Sequence, residues 1–182
     1  MNDLLNTFLN VTRLESGTIT VKLQKVNVKE ILDSILNELN LRNKTGKLSI
    51  RKNITPNLPP IVTDPNLLRI ILQNLLSNAV KYTPQKGEVK IEINKHEKEL
   101  ILTISDTGIG VPNNVQKKIF TKFFRAKNAM EKESNGTGLG LYIVQKIVDK
   151  LGGKIWFNSV ENKGTAFHFN IPIDVPNLKL NT

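Results

Sequence analysis

The hydrophobic pattern of this chain changes repeatedly between the period of a helix and the period of a strand, and this restricts the fold more than any other feature. Helical spacing predicts helices over 1–16, 28–41, 64–83 and 138–151, and a short helix near 113–119. Strict alternation predicts strands over 19–23, 47–55, 87–95, 99–105, 154–159 and 165–173. The sequence therefore predicts an α/β (α+β) two-layer sandwich. Its mixed, mostly antiparallel sheet is covered on one face by three helices, with an N-terminal helical stump.

The composition excludes several classes of function. The 182 residues include no cysteine, which excludes a disulfide framework, a thiolate zinc site and cysteine-based catalysis. No apolar run is long enough to span a membrane, and the first residues do not resemble a secretion signal, so a cytoplasmic location is expected. The net charge of +10 favours an anionic partner. Nucleic acid is not the expected partner, because the lysines are scattered singly with little aromatic interleaving.

The helix over 64–83 carries a polar row. Asn74, Asn78 and Lys81 are spaced i, i+4 and i+7, so they fall within a stripe roughly 60° wide on one helix face. Amide oxygens are plausible ligands for Mg²⁺. This ion commonly binds one or two protein oxygens and fills its other coordination positions with water and phosphate oxygens. Lys81 could meet a phosphate. An ordinary solvated helix face would give the same row, so the row alone does not distinguish a ligand site from a solvated face.

A carboxylate and two glycines follow the strand over 99–105. Asp106, Gly108 and Gly110 place an acceptor at the strand end, where glycine lets a flat ring lie against the backbone. Such a carboxylate could bind an exocyclic amine. The alternative is a simple turn, since Asp, Thr and Gly are all favoured in turns.

A second glycine-rich segment runs directly into the helix over 138–151. Successive backbone N–H groups and the positive end of a helix dipole suit phosphates. A plain glycine hinge is the alternative. The preceding stretch over 121–136 is polar and follows an aromatic anchor, which predicts either a lid or an ordinary surface loop. The glycine segment comprises Gly136, Thr137, Gly138, Leu139, Gly140 and Leu141.

Taken in order, these segments resemble the sequence boxes of sensor histidine kinases. The boxes are 74–83, 106–110, 120–125, 136–141 and 164–165, and their order over about 90 residues is highly specific. The resemblance implies the catalytic ATP-binding domain, with the fold shared by gyrase, the Hsp90 chaperone and MutL, over 18–174. Residues 1–17 resemble the end of the second helix of a dimerisation and phosphoacceptor domain, and 175–182 are expected to be a loose tail.

The resemblance also implies roles for individual residues around a Mg²⁺ and an ATP. Asn78 would be the metal ligand with Asn74 beside it, and Lys81 would contact phosphate. Tyr82 would pack on the adenine or ribose, and Arg125 would reach the terminal phosphate from the lid.

At the other end of the nucleotide, Asp106 would accept from the adenine amino group. Gly108 and Gly110 would shape the pocket, and Thr165 would support the adenine end. The backbone N–H groups of 136–141 would surround the phosphates.

One part of the family pattern is missing. A phosphoacceptor histidine is followed by an acidic residue and then a proline on a helix, and neither histidine here has that context. His96 lies in a predicted hairpin turn, and His168 alternates out of phase with Phe167 and Phe169, so it is expected on the other side of the sheet. The chain is therefore expected to be a piece of a longer protein.

The resulting hypothesis is a protein-histidine kinase fragment that binds Mg·ATP and donates the γ-phosphoryl group to a histidine outside this chain. Its expected partners are the dimerisation and phosphoacceptor domain of the same kinase and a response-regulator receiver domain. The parent is expected to be a membrane-bound sensor with this domain in the cytoplasm. The alternatives are an ATP-hydrolysing relative, disfavoured because Asn74 is a poor base, and a non-catalytic interaction module that has lost nucleotide binding.

Overall fold

The computed structural model describes Thr12 and residues 15–42 and 48–173. Of the predicted helix over 1–16, Thr12 and Glu15 are helical, and Ser16 and Gly17 form the predicted turn. The predicted tail lies outside the described residues. In chain order the elements are β1 (Gln24–Val26), α1 (Val28–Arg42), β2 (Ser49–Ile54), β3 (Ile61–Thr63), α2 (Pro65–Tyr82), β4 (Glu88–His96), β5 (Glu99–Asp106), a 3-10 helix (Asn113–Lys118), α3 (Lys127–Lys132), α4 (Gly140–Lys150), β6 (Lys154–Val160) and β7 (Gly164–Pro172).

The main sheet has five strands in the order β2-β4-β5-β7-β6. Only β2 and β4 are parallel within it, and the other neighbours are antiparallel. A separate pair, β1 and β3, is antiparallel. The predicted mixed, mostly antiparallel sheet is confirmed. Its register places Asp106, at the end of β5, opposite Thr165 on β7.

The core lies between one face of this sheet and three helices. Alternate residues of β4, β5 and β7 are buried, and they pack with the apolar stripes of α1, α2 and α4 in one cluster. Each fully buried aliphatic side chain stabilises the folded state by about 2 kcal/mol relative to an exposed one. The buried face therefore determines the register of the strands. The sheet residues of this layer are Val89, Ile91, Ile93, Leu100, Leu102, Ile104, Phe167, Phe169 and Ile171.

Helix α2 begins and ends where the sequence predicts. The Asp64 side chain accepts hydrogen bonds from the backbone N–H groups of Asn66 (2.9 Å) and Leu67 (3.1 Å), and Pro65 occupies the first turn. At the other end the Thr83 N–H donates to the Ala79 carbonyl, and a proline follows. The polar row of α2 is therefore held at a fixed position relative to the core.

The predicted strand over 19–23 is wrong. Residues 18–23 form no strand, and β1 starts only at Gln24. The Lys22 N–H donates to Asp64 Oδ2 (2.8 Å) rather than to a neighbouring strand. Ile19 and Val21 still pack against the core, so their alternation reflects one-sided burial without a partner strand.

Glu15 connects the segment before residue 18 to the rest of the molecule. Its carboxylate accepts a hydrogen bond from Tyr142 Oη on α4 (2.9 Å) and pairs with Lys122. The Lys122 ammonium also lies 5.2 Å from the Tyr142 ring centroid. Lys122 holds the pKa of the Glu15 carboxyl below its ordinary value.

Across the described residues, no helix combines the length and apolar character needed to cross a membrane.

Candidate functional site

A cavity of about 570 Å³ opens between α2, the start of α4 and the segment that joins β5 to α4. Its size is typical of sites for ligands as large as a nucleotide. All the predicted site residues except Gly108 and Leu139 line it. These lining residues are Asn74, Asn78, Lys81, Tyr82, Asp106, Gly110, Arg125, Gly136, Thr137, Gly138, Gly140, Leu141 and Thr165.

The polar row of α2 forms one wall. Asn74 Nδ2 donates to the Ile70 carbonyl (2.8 Å), which fixes the amide and leaves Oδ1 next to Gly140. Within the part of the chain that the structure describes, nothing hydrogen-bonds to the Asn78 side chain, so its oxygen is available to a ligand. Lys81 Nζ donates to the Asn135 carbonyl (3.3 Å) across the cavity.

Asp106 lines the cavity near the C-terminal end of α2, where Gly108 approaches the Tyr82 carbonyl. Its Oδ1 accepts from the Gly108 N–H (2.8 Å), and the backbone of Thr165 donates to the same carboxylate. Burial raises the pKa of Asp106 to about 6, although these two hydrogen bonds oppose the shift. The charged form therefore lacks full compensation within the protein, and it can accept a further donor from a ligand.

Gly108 lies behind the carboxylate rather than in the cavity wall. A Cβ at this position would come within 2.6 Å of Asp106 Oδ1 and 2.7 Å of the Tyr82 carbonyl oxygen. Only a residue without a side chain therefore allows the end of α2 to approach Asp106 this closely. The Ile109 N–H donates to the same Tyr82 carbonyl (3.3 Å), which ties this loop to α2.

Thr165 supports the Asp106 end of the cavity from β7. The residue is buried, and its hydroxyl hydrogen-bonds with Ser159 Oγ (2.9 Å). Ser159 Oγ in turn accepts from the Val111 N–H (2.8 Å). This network holds the loop after Asp106 against β6 and β7.

The N-terminus of α4 faces the cavity without a side-chain cap. Leu139 precedes the helix and is buried in the core, while its N–H donates to Thr137 Oγ1 (3.2 Å). Gly140 and Leu141, in the first turn, line the cavity. The first N–H groups of a helix have no intrahelical acceptor, and together with the helix dipole they favour an anion such as a phosphate.

Comparison with known proteins decides the family. The profile described as "Histidine kinase-, DNA gyrase B-, and HSP90-like ATPase" matches residues 63–175. This chain belongs to that family. The match includes every predicted site residue from Asn74 to Thr165.

Curated relatives in this family are sensory kinases. The chain is 34% identical over 174 residues to the adaptive-response sensory kinase SasA of Rippkaea orientalis, covering 95% of this chain and 44% of SasA. It is 32% identical to the signal transduction histidine-protein kinase BarA of Escherichia coli K12, covering 96% of this chain and 20% of BarA. The chain thus spans less than half the length of these relatives, and its resemblance to sensor histidine kinases is confirmed.

Solved structures agree with the predicted fold. Full-length ShkA in complex with AMPPNP superposes with a TM-score of 0.81 at 28% identity, over 93% of this chain and 35% of ShkA. The two-layer architecture that the hydrophobic pattern predicts is therefore that of histidine kinases, and the chain contains an ATP-binding domain of the family.

The sequence prediction missed an ordered element before the glycine segment. The stretch over 121–136, expected to be irregular, contains α3. Asn128 on α3 lines the cavity, and its Nδ2 donates to the Gly110 carbonyl (3.0 Å). No described atom hydrogen-bonds to its buried Oδ1. Nothing in the polar composition of this stretch distinguishes Asn128 from its neighbours.

The residues of the cavity fit a Mg²⁺ ion that is bound together with phosphates. The described ranges hold no cluster of three or more His, Cys, Asp or Glu side chains that could bind a metal alone. The uncommitted amide oxygen of Asn78 is a suitable single protein ligand, because Mg²⁺ keeps most of its sites for water and phosphate oxygens.

Proposed function

We propose that this chain binds Mg·ATP in the cavity and donates the γ-phosphoryl group to a histidine on a dimerisation domain outside the chain. One cavity is lined by both Asp106 and the uncapped start of α4, and this observation carries the proposal. The loop of Asp106 meets α2 at Tyr82, whereas Gly140 of α4 meets α2 at Asn74, about two turns earlier. This arrangement suits a ligand with an amine at one end and phosphates at the other.

At the phosphate end, Asn78 holds Mg²⁺ with Asn74 beside it, and Lys81 contacts a phosphate. Backbone N–H groups of the segment 136–141 and the dipole of α4 surround the phosphate chain. When bound, Mg²⁺ neutralises phosphate charge.

At the adenine end, the ionised Asp106 accepts a hydrogen bond from the exocyclic amine. Thr165, fixed by Ser159, supports this end. Gly108 keeps the loop close to α2, and Gly110 lets it pass close to the backbone of Val160 and Glu161. Tyr82 packs on the adenine or ribose. The chemistry of this chain is therefore mainly positioning and charge stabilisation.

The acceptor histidine is proposed to come from elsewhere because neither histidine here reaches the cavity. His96 is exposed at the end of β4. His168 lies on the sheet face opposite the helices, where it hydrogen-bonds with Thr103 Oγ1 (3.0 Å) and stacks on Trp156 at a centroid distance of 5.4 Å. The position of His168 agrees with the prediction from its alternation.

The wider assignment follows from the kinase relatives. Residues 1–17 are proposed to end a dimerisation helix, 18–174 to form the catalytic ATP-binding domain, and 175–182 to be a tail. The proposed partners are the phosphoacceptor domain of the same kinase and a receiver domain. The proposed location is the cytoplasmic side of a membrane-bound sensor.

Calorimetry tests the binding step. Mg·ATP should bind the wild-type chain, and Asp106→Asn should weaken binding at least 100-fold, because an amide in place of the carboxylate loses the charge-assisted bond to the amine. The matched control is Asp149→Asn, an exposed aspartate near the end of α4, which should leave the affinity unchanged. No heat with the wild type, or equal affinities for wild type and Asp106→Asn, would contradict the proposal.

Asp106→Asn should also be more stable than the wild type. The folded-state pKa of about 6 lies above the ordinary value of 3.8, so the ionised carboxylate disfavours folding above pH 6, and this penalty disappears as the pH falls toward 4. Removing the charge should raise the free energy of unfolding at pH 7 by at most about 3 kcal/mol. Urea unfolding at pH 7 and pH 4 measures this, and it separates loss of binding from loss of folding.

The transfer step is tested with labelled ATP. The chain alone should acquire no acid-labile phosphate, and the label should appear on a separately added dimerisation domain that carries the acceptor histidine. Robust self-labelling of this chain would contradict a role for an external histidine.

A further inference from the structure

Ser159 lies on β6 near the Asp106 end of the cavity, and its hydroxyl group contacts three partners. The hydroxyl oxygen accepts a hydrogen bond from the Val111 N–H (2.8 Å), and the hydroxyl donates to the Gly164 carbonyl (3.0 Å). Thr165 Oγ1 lies 2.9 Å from Ser159 Oγ. Thr165 lines the cavity, whereas Ser159 does not. Ser159 can therefore act on a ligand only through a neighbouring group.

The three partners fix the direction of the hydrogen bond between the two hydroxyl groups. A serine hydroxyl has one hydrogen and two lone pairs. The Val111 N–H can only donate, and the Gly164 carbonyl can only accept, so the Ser159 hydrogen points to Gly164. The bond between the hydroxyl groups must then use the hydrogen of Thr165. Thr165 therefore donates to Ser159, and its own oxygen can only accept from any further group.

Two further contacts hold this arrangement in place. Gln116 Nε2 donates to the carbonyls of both Val111 and Ser159 (3.1 Å each). Gly164 allows β7 to start against the end of β5, because a Cβ there would come within 1.9 Å of the Asp106 carbonyl oxygen. The backbone groups that direct the Ser159 hydroxyl are therefore fixed from both sides.

The direction of the Thr165 hydroxyl matters because Thr165 lies beside Asp106 in the cavity wall. The two residues are opposite each other on β7 and β5, and the Thr165 backbone donates to the Asp106 carboxylate. An ionised carboxylate accepts hydrogen bonds and does not donate. Since the Thr165 hydrogen is committed to Ser159, both side chains present only acceptors here. A ligand that fits this end of the cavity must supply the donors.

We propose that Ser159 is a positioning residue for base selection: by accepting the Thr165 hydrogen, it makes this end of the cavity select a 6-aminopurine and reject a 6-oxopurine. An exocyclic amine supplies N–H donors to such a site. A 6-oxo group adds another acceptor and leaves the acceptors of the site unpaired. The proposal rests on the proposed function, because it assumes that the cavity binds a purine nucleotide, and it assigns a role to a residue that does not touch that nucleotide.

A structural role for Ser159 predicts a different result. If its hydroxyl only held the loop after Asp106 against β6, its loss would weaken all purine nucleotides by the same factor. If it directs the Thr165 hydrogen, its loss frees that hydrogen to turn toward the cavity and donate to a 6-oxo group. The affinity for ATP would then fall while the affinity for a 6-oxopurine is kept. The ratio of the two dissociation constants therefore separates the two roles.

The test is calorimetry at pH 8, where Asp106 is ionised, with the magnesium complexes of ATP and of inosine triphosphate, which carries a 6-oxo group. The wild type should prefer ATP by about 100-fold or more. Ser159→Ala should bind ATP about fivefold more weakly and inosine triphosphate as well as the wild type does. Ser159→Cys should change the preference in the same direction, because its thiol fills the site but is a weak acceptor. It replaces Ser159→Ala in the test if the alanine variant does not fold.

Ser105→Ala is the matched control. This residue directly precedes Asp106, and its partly buried hydroxyl donates to the Lys90 carbonyl (3.4 Å). Successive side chains of a strand point to opposite faces of the sheet, so the Ser105 hydroxyl lies on the face away from the cavity. The control removes the same group at the same distance along the chain from the carboxylate, and its nucleotide preference should equal that of the wild type.

Thr165→Val shows whether Ser159 acts through Thr165, since valine has nearly the shape of threonine but no hydroxyl. In the Thr165→Val protein, Ser159→Ala should change the nucleotide preference by less than about twofold, because no hydroxyl hydrogen is left to direct. Urea unfolding shows whether each variant is folded. The preference is a ratio of two affinities of one protein, so an unfolded fraction cancels from it.

Three results would overturn the proposal. The first is a wild type that binds both nucleotides equally. The second is a preference that Ser159→Ala leaves unchanged, including equal losses for the two nucleotides. The third is an equally large effect of Ser159→Ala with and without the Thr165 hydroxyl. Failure of the wild type to bind either nucleotide is a different result, because it contradicts the proposed function itself.

Discussion

Helices α2 and α4 lie side by side in the same core, but they begin in opposite ways. The first N–H groups of α2 are satisfied by the buried carboxylate of Asp64, which also accepts from the Lys22 N–H. The start of α4 has no side-chain cap and opens into the cavity. A helix end that is satisfied by its own chain stabilises the fold, whereas an end with free donors is available to a ligand.

The two aspartates differ in the same way. Asp64 accepts three backbone N–H groups and takes no part in the cavity lining. Asp106 lines the cavity, and burial raises its pKa because its hydrogen bonds compensate the charge only in part. The position of unsatisfied groups, rather than residue type, therefore distinguishes the proposed ligand site from the scaffold.

Giving α4 a carboxylate like that of α2 should have the largest effect on nucleotide binding. Thr137 already accepts from the Leu139 N–H, two residues on, as Asp64 does from Asn66. Thr137→Asp should place a negative charge where phosphates are proposed to bind and weaken Mg·ATP at least 100-fold. The reason is that two like charges about 5 Å apart repel by about 3 kcal/mol at an effective dielectric constant of about 20.

Thr137→Asn is the control, because asparagine has nearly the same shape as aspartate but carries no charge. Calorimetry should show only a few-fold change in affinity for this variant. Equal effects of the two substitutions would mean that shape, and not charge, governs this end of the cavity.

Removing the cap of α2 should lower stability instead of nucleotide affinity. Asp64→Ala leaves three backbone N–H groups without their acceptor, and it should lower the free energy of unfolding by about 2 kcal/mol. Urea unfolding followed by circular dichroism measures this change. Asp64→Ser, which can still cap α2 but does not reach Lys22, should lose about half as much.

The affinity of the folded Asp64→Ala protein for Mg·ATP should stay at the wild-type value. A large loss of affinity in that variant would show that the two helix ends are not independent.

The smallest expected effect is a pH dependence at Asp106. The ionised carboxylate accepts from the adenine amine, and the pKa is about 6. The preference for ATP over a purine triphosphate lacking the 6-amino group should therefore be constant above pH 7 and fall about tenfold by pH 5. Taking the ratio of the two nucleotides cancels the titration of their phosphates. A ratio that does not change between pH 7 and pH 5 would remove Asp106 from adenine recognition.

Much of the fold was predictable because the signals are local. Asp64 and Pro65 before an apolar stripe predict the start of α2, and alternation predicts β4, β5 and β7 because one sheet face is buried. The order of the glycine boxes and the asparagine row predicted the residues that line the cavity. Each of these signals depends on a few residues close together in the chain.

The features that the sequence did not predict depend on contacts between residues that are distant in the chain. Three-residue strands such as β1 and β3 are too short to show a period, and they form because the chain brings Gln24 opposite Thr63. Helix α3 lacks an apolar stripe, so its pattern resembles a loop. The hydrogen bonds from Arg125 to the Ser134 carbonyl and from Asn128 to the Gly110 carbonyl depend on the folded path of residues 121–136, which no spacing in the sequence encodes.

The stack of Trp156 on His168 has a practical consequence. Trp156 is the only tryptophan of the chain, and it lies on the sheet face opposite the helices, outside the cavity wall. Burial lowers the pKa of His168, so its imidazole is neutral at physiological pH. The intrinsic fluorescence of the protein should therefore report the separation of β6 from β7, and it should change little when a nucleotide occupies the far side of the molecule.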